Sequence, residues 1–225
     1  EGSMSHLASL IAQSVNAIPD SDYERVRMSK AGEGTAATSE LIPGILIEKR
    51  LALERMPKNL LDTKVAVLSC PLELESSVVS SEIEISTPEQ YHAFIDEEKN
   101  QIEKMIQKVK SSGAQAVFSA ESIDSRALHS LADSGLFAMG GFERPIAEDV
   151  AQACGAALCD HLDDLSNSLG HADGLTHERL EGPEGVKERL IIEVGKDAGI
   201  VTILVGGTDG VACEETIRGM YDSLR

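Results

Sequence analysis

A chain of 225 residues with 42% hydrophobic content is long enough for one well-buried core and a smaller unit beside it. Its 38 acidic and 20 basic residues give a formal charge of −18, which repels phosphate backbones and anionic lipid and argues against nucleic-acid and membrane partners. The longest apolar runs, such as IVTILV at 200–205, are far too short to span a bilayer, and no signal-like stretch opens the chain.

The four cysteines, Cys70, Cys154, Cys159 and Cys213, form no CxxC and no framework spacing. They read as small buried hydrophobes in a reducing cytoplasm, and structural zinc is not expected. The acidity has two readings: a well-solvated surface, or adaptation to a salt-rich cytoplasm. Under the second, the melting temperature rises between ~0.1 M and ~1 M salt, as the Debye length shrinks from ~10 Å to ~3 Å and carboxylate repulsion is screened. A melting curve unmoved by that change removes the support for it.

Glu1-Gly2-Ser3 ahead of Met4 reads as an expression scar (residues 1–3). Leu7, Leu10, Ile11, Ser14, Val15 and Ile18 then follow helical spacing and stop at Pro19, which predicts a short amphipathic helix. The segment ERVRMSKAGEGTAATSELIPG reads as a loose hairpin, with a polar strand, a turn at Gly32 and Gly34, and a second extended segment. From Ile45 onward strands and helices alternate. VAVLSC is a short apolar run of the kind buried in a sheet, and EIEI alternates with period two. A long helix starts at Thr87-Pro88, with Glu89 in its first turn. Tyr91, Phe94, Ile95, Ile102, Met105, Ile106 and Val109 recur at helical spacing and read as one packing stripe, carrying the helix to Lys110 over ~30 Å. AQAVFSA, LFAMGGF and AALCD read as strands, separated by the helices IDSRALHSLADSG and PIAEDVAQACG. This alternation predicts an α/β core.

Residues 161–185 lack periodicity and read as a surface loop. His161, Asp163, Asp164, His171, Asp173 and His177 are of metal-ligating type, but their spacing matches no recognisable site, so scattered surface polar residues are expected. VKERLIIEVG and IVTILVGG are the last strands, and DGVACEETIRGMYDSLR the last helix. VGGTDG, a glycine pair between an apolar strand and a helix, has the form of an anion cradle. It lacks the following Lys-Ser/Thr and the third glycine of nucleotide fingerprints. No nucleophile elbow occurs, and neither Ser119 nor any cysteine has a local activating partner. From its residues alone this chain is not an enzyme.

The stretch GILIEKRLALERMPKNLLDTKVAVLSCPLE at 44–73 closely resembles the start of the apical domain of group II chaperonins, the archaeal thermosome and its eukaryotic cytosolic relatives. Further matches follow the family order: SELIPGILIEK, the Met56-Pro57-Lys58 triplet, VAVLSCPLELE, STPEQ, SSGAQAVFSAESID and TILVGGTD. The resemblance implies an α/β chaperonin apical domain, a mixed sheet flanked by helices with a helical protrusion, plus a small α+β remnant of the intermediate domain. Residues 4–43 and 200–225 would be the two intermediate parts and 44–199 the apical domain, with hinges at Gly44 and Gly199, where glycine absorbs large φ/ψ changes.

By the same resemblance, residues 76–98 form a built-in lid whose Val78, Val79, Ile83 and Ile85 meet neighbouring lids or clients, or else pack on the long helix. The helix IDSRALHSLADSG resembles the client-facing helix. Ile123, Ala127 and Leu131 would face the core, Arg126, His129, Ser130 and Asp133 would point outward, and Leu128 would be an exposed apolar contact. Asp222, in MYDSL, resembles the aspartate that helps activate water over the nucleotide. Between Thr208 and Asp222 this chain is one residue longer than the family pattern, and GGFERPIAED replaces a basic family segment.

The implied function is a molecular chaperone: an apical fragment that binds non-native proteins and provides the lid. This chain would carry no cofactor or metal of its own, whereas the full-length subunit would be an ATPase using ATP and Mg. Its partners would be unfolded clients and other chaperonin subunits in a double ring. A stand-alone interaction module derived from a chaperonin, never coupled to ATP, and a small-molecule enzyme using VGGTDG as an anion site are the alternative readings.

Overall fold

The computed structural model describes residues 2–18, 22–74, 87–182, 185–195, 198–207 and 210–224. The expected lid residues Val78, Val79, Ile83 and Ile85 and the EIEI segment lie outside the described residues. Two sheets organise the rest.

The smaller sheet has three strands, β1 (Val26–Lys30), β2 (Glu40–Ile42) and β10 (Val201–Val205), in the order β1-β10-β2. Helices α1 (Gly2–Ala17) and α5 (Gly210–Leu224) accompany it. The expected hairpin does not form, because β10 lies between β1 and β2, parallel to the first and antiparallel to the second. The reason is burial. All five residues of β10 are buried, whereas β1 is largely half-buried and β2 holds one buried residue. The most apolar strand takes the centre, where both faces are covered.

The larger sheet runs β3 (Gly44–Glu48), β9 (Gly185–Glu193), β8 (Gly170–Gly182), β4 (Asn59–Leu68), β5 (Ala116–Ser119), β6 (Phe137–Met139), with the short β7 (Leu158–Cys159) also paired to β4. It is mixed: β3, β9, β8 and β4 are antiparallel, whereas β4, β5, β6 and β7 pair in parallel. Val65 to Leu68, Ala116 to Phe118 and Phe137 to Met139 are fully buried, and Phe118 stacks obliquely against Phe137 and Phe142. Helices α2 (Pro88–Ser112), α3 (Ser125–Asp133) and α4 (Arg144–Cys154) flank this core. The sheet is open and the class is α/β, as the alternation predicts.

Two expectations need correction. The described residues of 161–185 are not a loop: a 3₁₀ turn at Leu162–Asn167 leads into the 13-residue β8, which pairs on both sides. Its inward positions include Ala172, Gly174, Leu175 and His177, so a histidine and small residues occupy places where an apolar period would have announced a strand. The α2 stripe also divides. Ile102, Ile106 and Val109 are buried, but Tyr91, Phe94 and Ile95 are 52%, 41% and 40% exposed. Thr87 caps α2 by accepting from the Gln90 amide, and Gly113 ends it in the left-handed region. Its first half therefore forms as a regular helix while contributing no buried residue to the core.

The chain passes between the sheets at Pro43-Gly44 and again between β9 and β10. Backbones cross closely there. The Val194 amide donates to the Pro43 carbonyl at 2.8 Å, and the buried Thr202 hydroxyl donates to the Gly44 carbonyl at 2.9 Å. A Cβ on Gly44 would sit 1.9 Å from the Ile192 carbonyl oxygen, and one on Gly199 2.0 Å from that of Gln152. Both expected hinge residues thus occupy places where no side chain fits. Gly44→Ala should cost roughly 2–4 kcal/mol in thermal or denaturant unfolding, because the clash is with backbone that must move. Gly219→Ala, on α5 where an added Cβ meets nothing within 4 Å, should be neutral or stabilising by up to ~1 kcal/mol. Equal effects of the two would contradict the crossing geometry.

Candidate functional site

Helix α3 is short and depends on its caps and its buried stripe. The Asp124 carboxylate accepts from the Arg126 amide at 2.7 Å, closing the N-terminus, and Gly135 just beyond the C-terminus takes a left-handed conformation. Ala127, Leu131 and Ala132 face the core, while Arg126, His129 and Asp133 are exposed and Ser130 is half-buried. Ile123 is only partly buried. Leu128 departs from expectation: it is half-buried and packs against the core rather than standing free. Three residues before Leu131 and four before Ala132, it lies at the edge of the buried stripe.

The polar face of α3 is tied to its neighbours. Arg126 donates to both carboxylate oxygens of Asp124 and, at 3.1 Å, to Glu98 of α2. The guanidinium hydrogen bond holds the Asp124 carboxyl below the usual carboxylate range. On the other side Arg55 donates to the His129 carbonyl at 3.0 Å and to its Nδ1, and pairs with Asp133 at 3.1 Å. Nδ1 must accept there, since guanidinium only donates, so the His129 proton is on Nε2. These charged contacts are largely exposed and add little stability; the buried Ala127, Leu131 and Ala132 anchor α3, and the ion pairs tie its outer face to α2 and the segment before β4.

One turn before Glu98, the exposed Tyr91, Phe94 and Ile95 lie at i, i+3 and i+4 on α2. The two helices therefore present a tethered polar face on α3 that leads onto an apolar stripe. Helical spacing alone places that stripe in the core, and its exposure corrects that expectation. The available signal was the gap between Ile95 and Ile102, an interval in which α2 carries only polar and charged residues.

A sequence model of the TCP-1/cpn60 chaperonin family matches residues 1–225. The chain belongs to the TCP-1/cpn60 chaperonin family. A thermosome subunit of Methanopyrus kandleri is 31% identical over 233 residues, covering 100% of this chain and 42% of that protein. Thermosome subunit 1 of Haloferax volcanii is 31% identical over 97% of this chain and 39% of its own length. The open-state monomer of a group II chaperonin from Methanococcoides burtonii shares the fold, with a TM-score of 0.74 at 21% identity over 97% of this chain and 49% of that one. This chain spans about two-fifths of the length of the curated relatives it matches.

In this chaperonin chain Asp222 is exposed on α5. That helix is held to β1 by the Lys30–Glu214 ion pair and by the Met28 amide, which donates to the Tyr221 hydroxyl at 3.2 Å. The glycine pair after β10 is already engaged. The Gly206 amide donates to the buried Ser39 hydroxyl and the Gly207 amide to the Glu33 carbonyl, so neither is free to receive an anion. Burial pushes the Cys154 thiol up to about 12 and raises that of Cys70, the reverse of nucleophile activation. His161, Asp163, Asp164, His171, Asp173 and His177 are dispersed over the 3₁₀ turn and β8, and no group of three or more metal-binding side chains occurs among the described residues. The described residues hold no helix long and apolar enough to cross a membrane.

Proposed function

We propose that this chain is the client-holding part of an ATP-driven, cytoplasmic group II chaperonin subunit, with residues 44–199 as the apical domain and 4–43 and 200–225 as the two parts of the intermediate domain. Family membership over the whole chain supports the reading, and the observation that carries it is the exposed apolar stripe Tyr91, Phe94 and Ile95 beside the fixed face of α3. Non-native proteins expose apolar segments that folded ones hide, so a modest apolar patch captures them weakly and without sequence preference. A ring multiplies many such weak contacts into useful retention. Arg126, Leu128, His129, Ser130 and Asp133 would border the captured segment, and residues 76–98 would form the lid. In the complete subunit ATP and Mg would drive opening and closing in a double ring, with Asp222 acting at the nucleotide.

Substituting Tyr91, Phe94 and Ile95 together by serine should reduce suppression of client aggregation several-fold while leaving the melting temperature nearly unchanged, because exposed positions carry little folding free energy. Unaltered suppression in the triple variant would place client capture elsewhere.

A further inference from the structure

Four of the chain's 20 basic residues fall between positions 49 and 58: Lys49, Arg50, Arg55 and Lys58. Two of them are committed. Lys49 donates to the Gly141 carbonyl with its ammonium 4.3 Å from the centre of the Phe142 ring, and Arg55 is bound to α3. Arg50, which pairs with Glu188 at 3.6 Å within the site, and Lys58 line, with Arg179 of β8, a pocket of about 440 Å³ walled by Leu51, Ala52, Glu54 and Glu188. In a chain with nearly two acids for every base, Lys58 and Arg179 have no ion-pair partner among the described residues. At the inner end lies His177, its side chain only 4% exposed. Its Nε2 is buried without a hydrogen-bond partner, 3.4 Å from a Glu188 oxygen that already accepts from the Leu51 amide at 3.0 Å. A buried ring nitrogen left without a hydrogen-bond partner carries an uncompensated desolvation cost.

We infer that this pocket binds a carboxylate carried on an apolar group, such as a peptide C-terminus or an acidic side chain flanked by apolar residues. Charge decides against phosphate. Among the lining groups other than His177, three cations face two carboxylates, and this one net positive charge suits a monoanion rather than a dianion. Arg179 supplies the planar fork that matches a carboxylate, Lys58 adds a point charge, and Leu51 and Ala52 provide the apolar wall. Everywhere else the field of a −18 chain opposes anions, so binding is short-ranged.

The test is nuclear magnetic resonance of the His177 imidazole in the 225-residue chain, titrated at constant pH and ionic strength. The probes are acetyl-leucine for a chain terminus, acetyl-glutamate α-amide for an acidic side chain, acetyl-leucine amide as the neutral control, and inorganic phosphate. Saturable shifts with one or both carboxylates and none with the neutral amide are expected, the tighter carboxylate identifying the source. Arg179→Ala and Lys58→Gln should each weaken binding roughly tenfold, and Arg144→Ala, a paired surface arginine of α4, should not. Both tested cations lie on the pocket wall, and unchanged melting temperatures would confirm that the fold survives their loss. A static His177 signal, equal shifts with the neutral amide, tighter binding of phosphate, or affinity unaffected by Arg179→Ala overturns the assignment.

Discussion

Leu131→Asp is expected to abolish the folded state, and Leu128→Asp, three residues earlier on the same helix, to leave it standing. Leu131 has no exposed surface and lies in the core against which α3 packs. A carboxylate there is desolvated without a partner, a cost of roughly 4 kcal/mol or more against a typical domain stability of about 5–15 kcal/mol. Leu128 is half-buried at the border of that core, so its aspartate variant reaches water and should cost about 1–2 kcal/mol. Circular dichroism with thermal melts distinguishes the two. A cooperative, near-native melt for Leu131→Asp would mean that α3 does not anchor to the sheet as described. Because Leu128 also packs inward, loss of client capture in its variant must be read beside its melting temperature.

The second large effect concerns the nucleotide. In the complete subunit, Asp222→Ala is expected to slow ATP hydrolysis on the order of 10²-fold or more, the usual contribution of a carboxylate that orients or deprotonates water. Folding should be unaffected, since Asp222 is exposed on α5 and the tethers of that helix run through Glu214 and Tyr221. The 225-residue chain itself should show no saturable heat with Mg-ATP, because the amides of its glycine pair are spent on Ser39 and Glu33. Hydrolysis unchanged in the variant subunit would remove Asp222 from the site. Magnesium-dependent ATP binding by this chain alone would contradict the division of labour.

Local signals were legible where one segment determines its own structure. Thr87-Pro88 and Gly113 bracket α2, Pro145 and Gly155 bracket α4, and the apolar runs of β4, β5 and β10 became buried strands. What was not legible depends on distant partners. Nothing in residues 24–44 says that a strand from positions 201–205 will separate β1 from β2. β8 was hidden because His177 takes an inward position, tolerated there beside Glu188. The exposure of Tyr91, Phe94 and Ile95 depends on how far α2 extends beyond its packing, which periodicity alone does not encode. The pocket unites Arg50, Lys58, His177, Arg179 and Glu188 from segments more than a hundred residues apart in sequence. The family is carried by ordered motifs along the chain, which do not depend on these packing details.

On the proposed reading, client capture uses the α2 stripe beside α3 and not exposed apolar surface in general. A photoreactive phenylalanine analogue placed singly at Phe94 or at Leu61, which is 82% exposed on β4, and challenged with an unfolded client tests this most directly. Strong cross-linking is expected from position 94, lost when the client is folded, and little from position 61. Cross-linking from position 61 that equals or exceeds that from position 94 would contradict it.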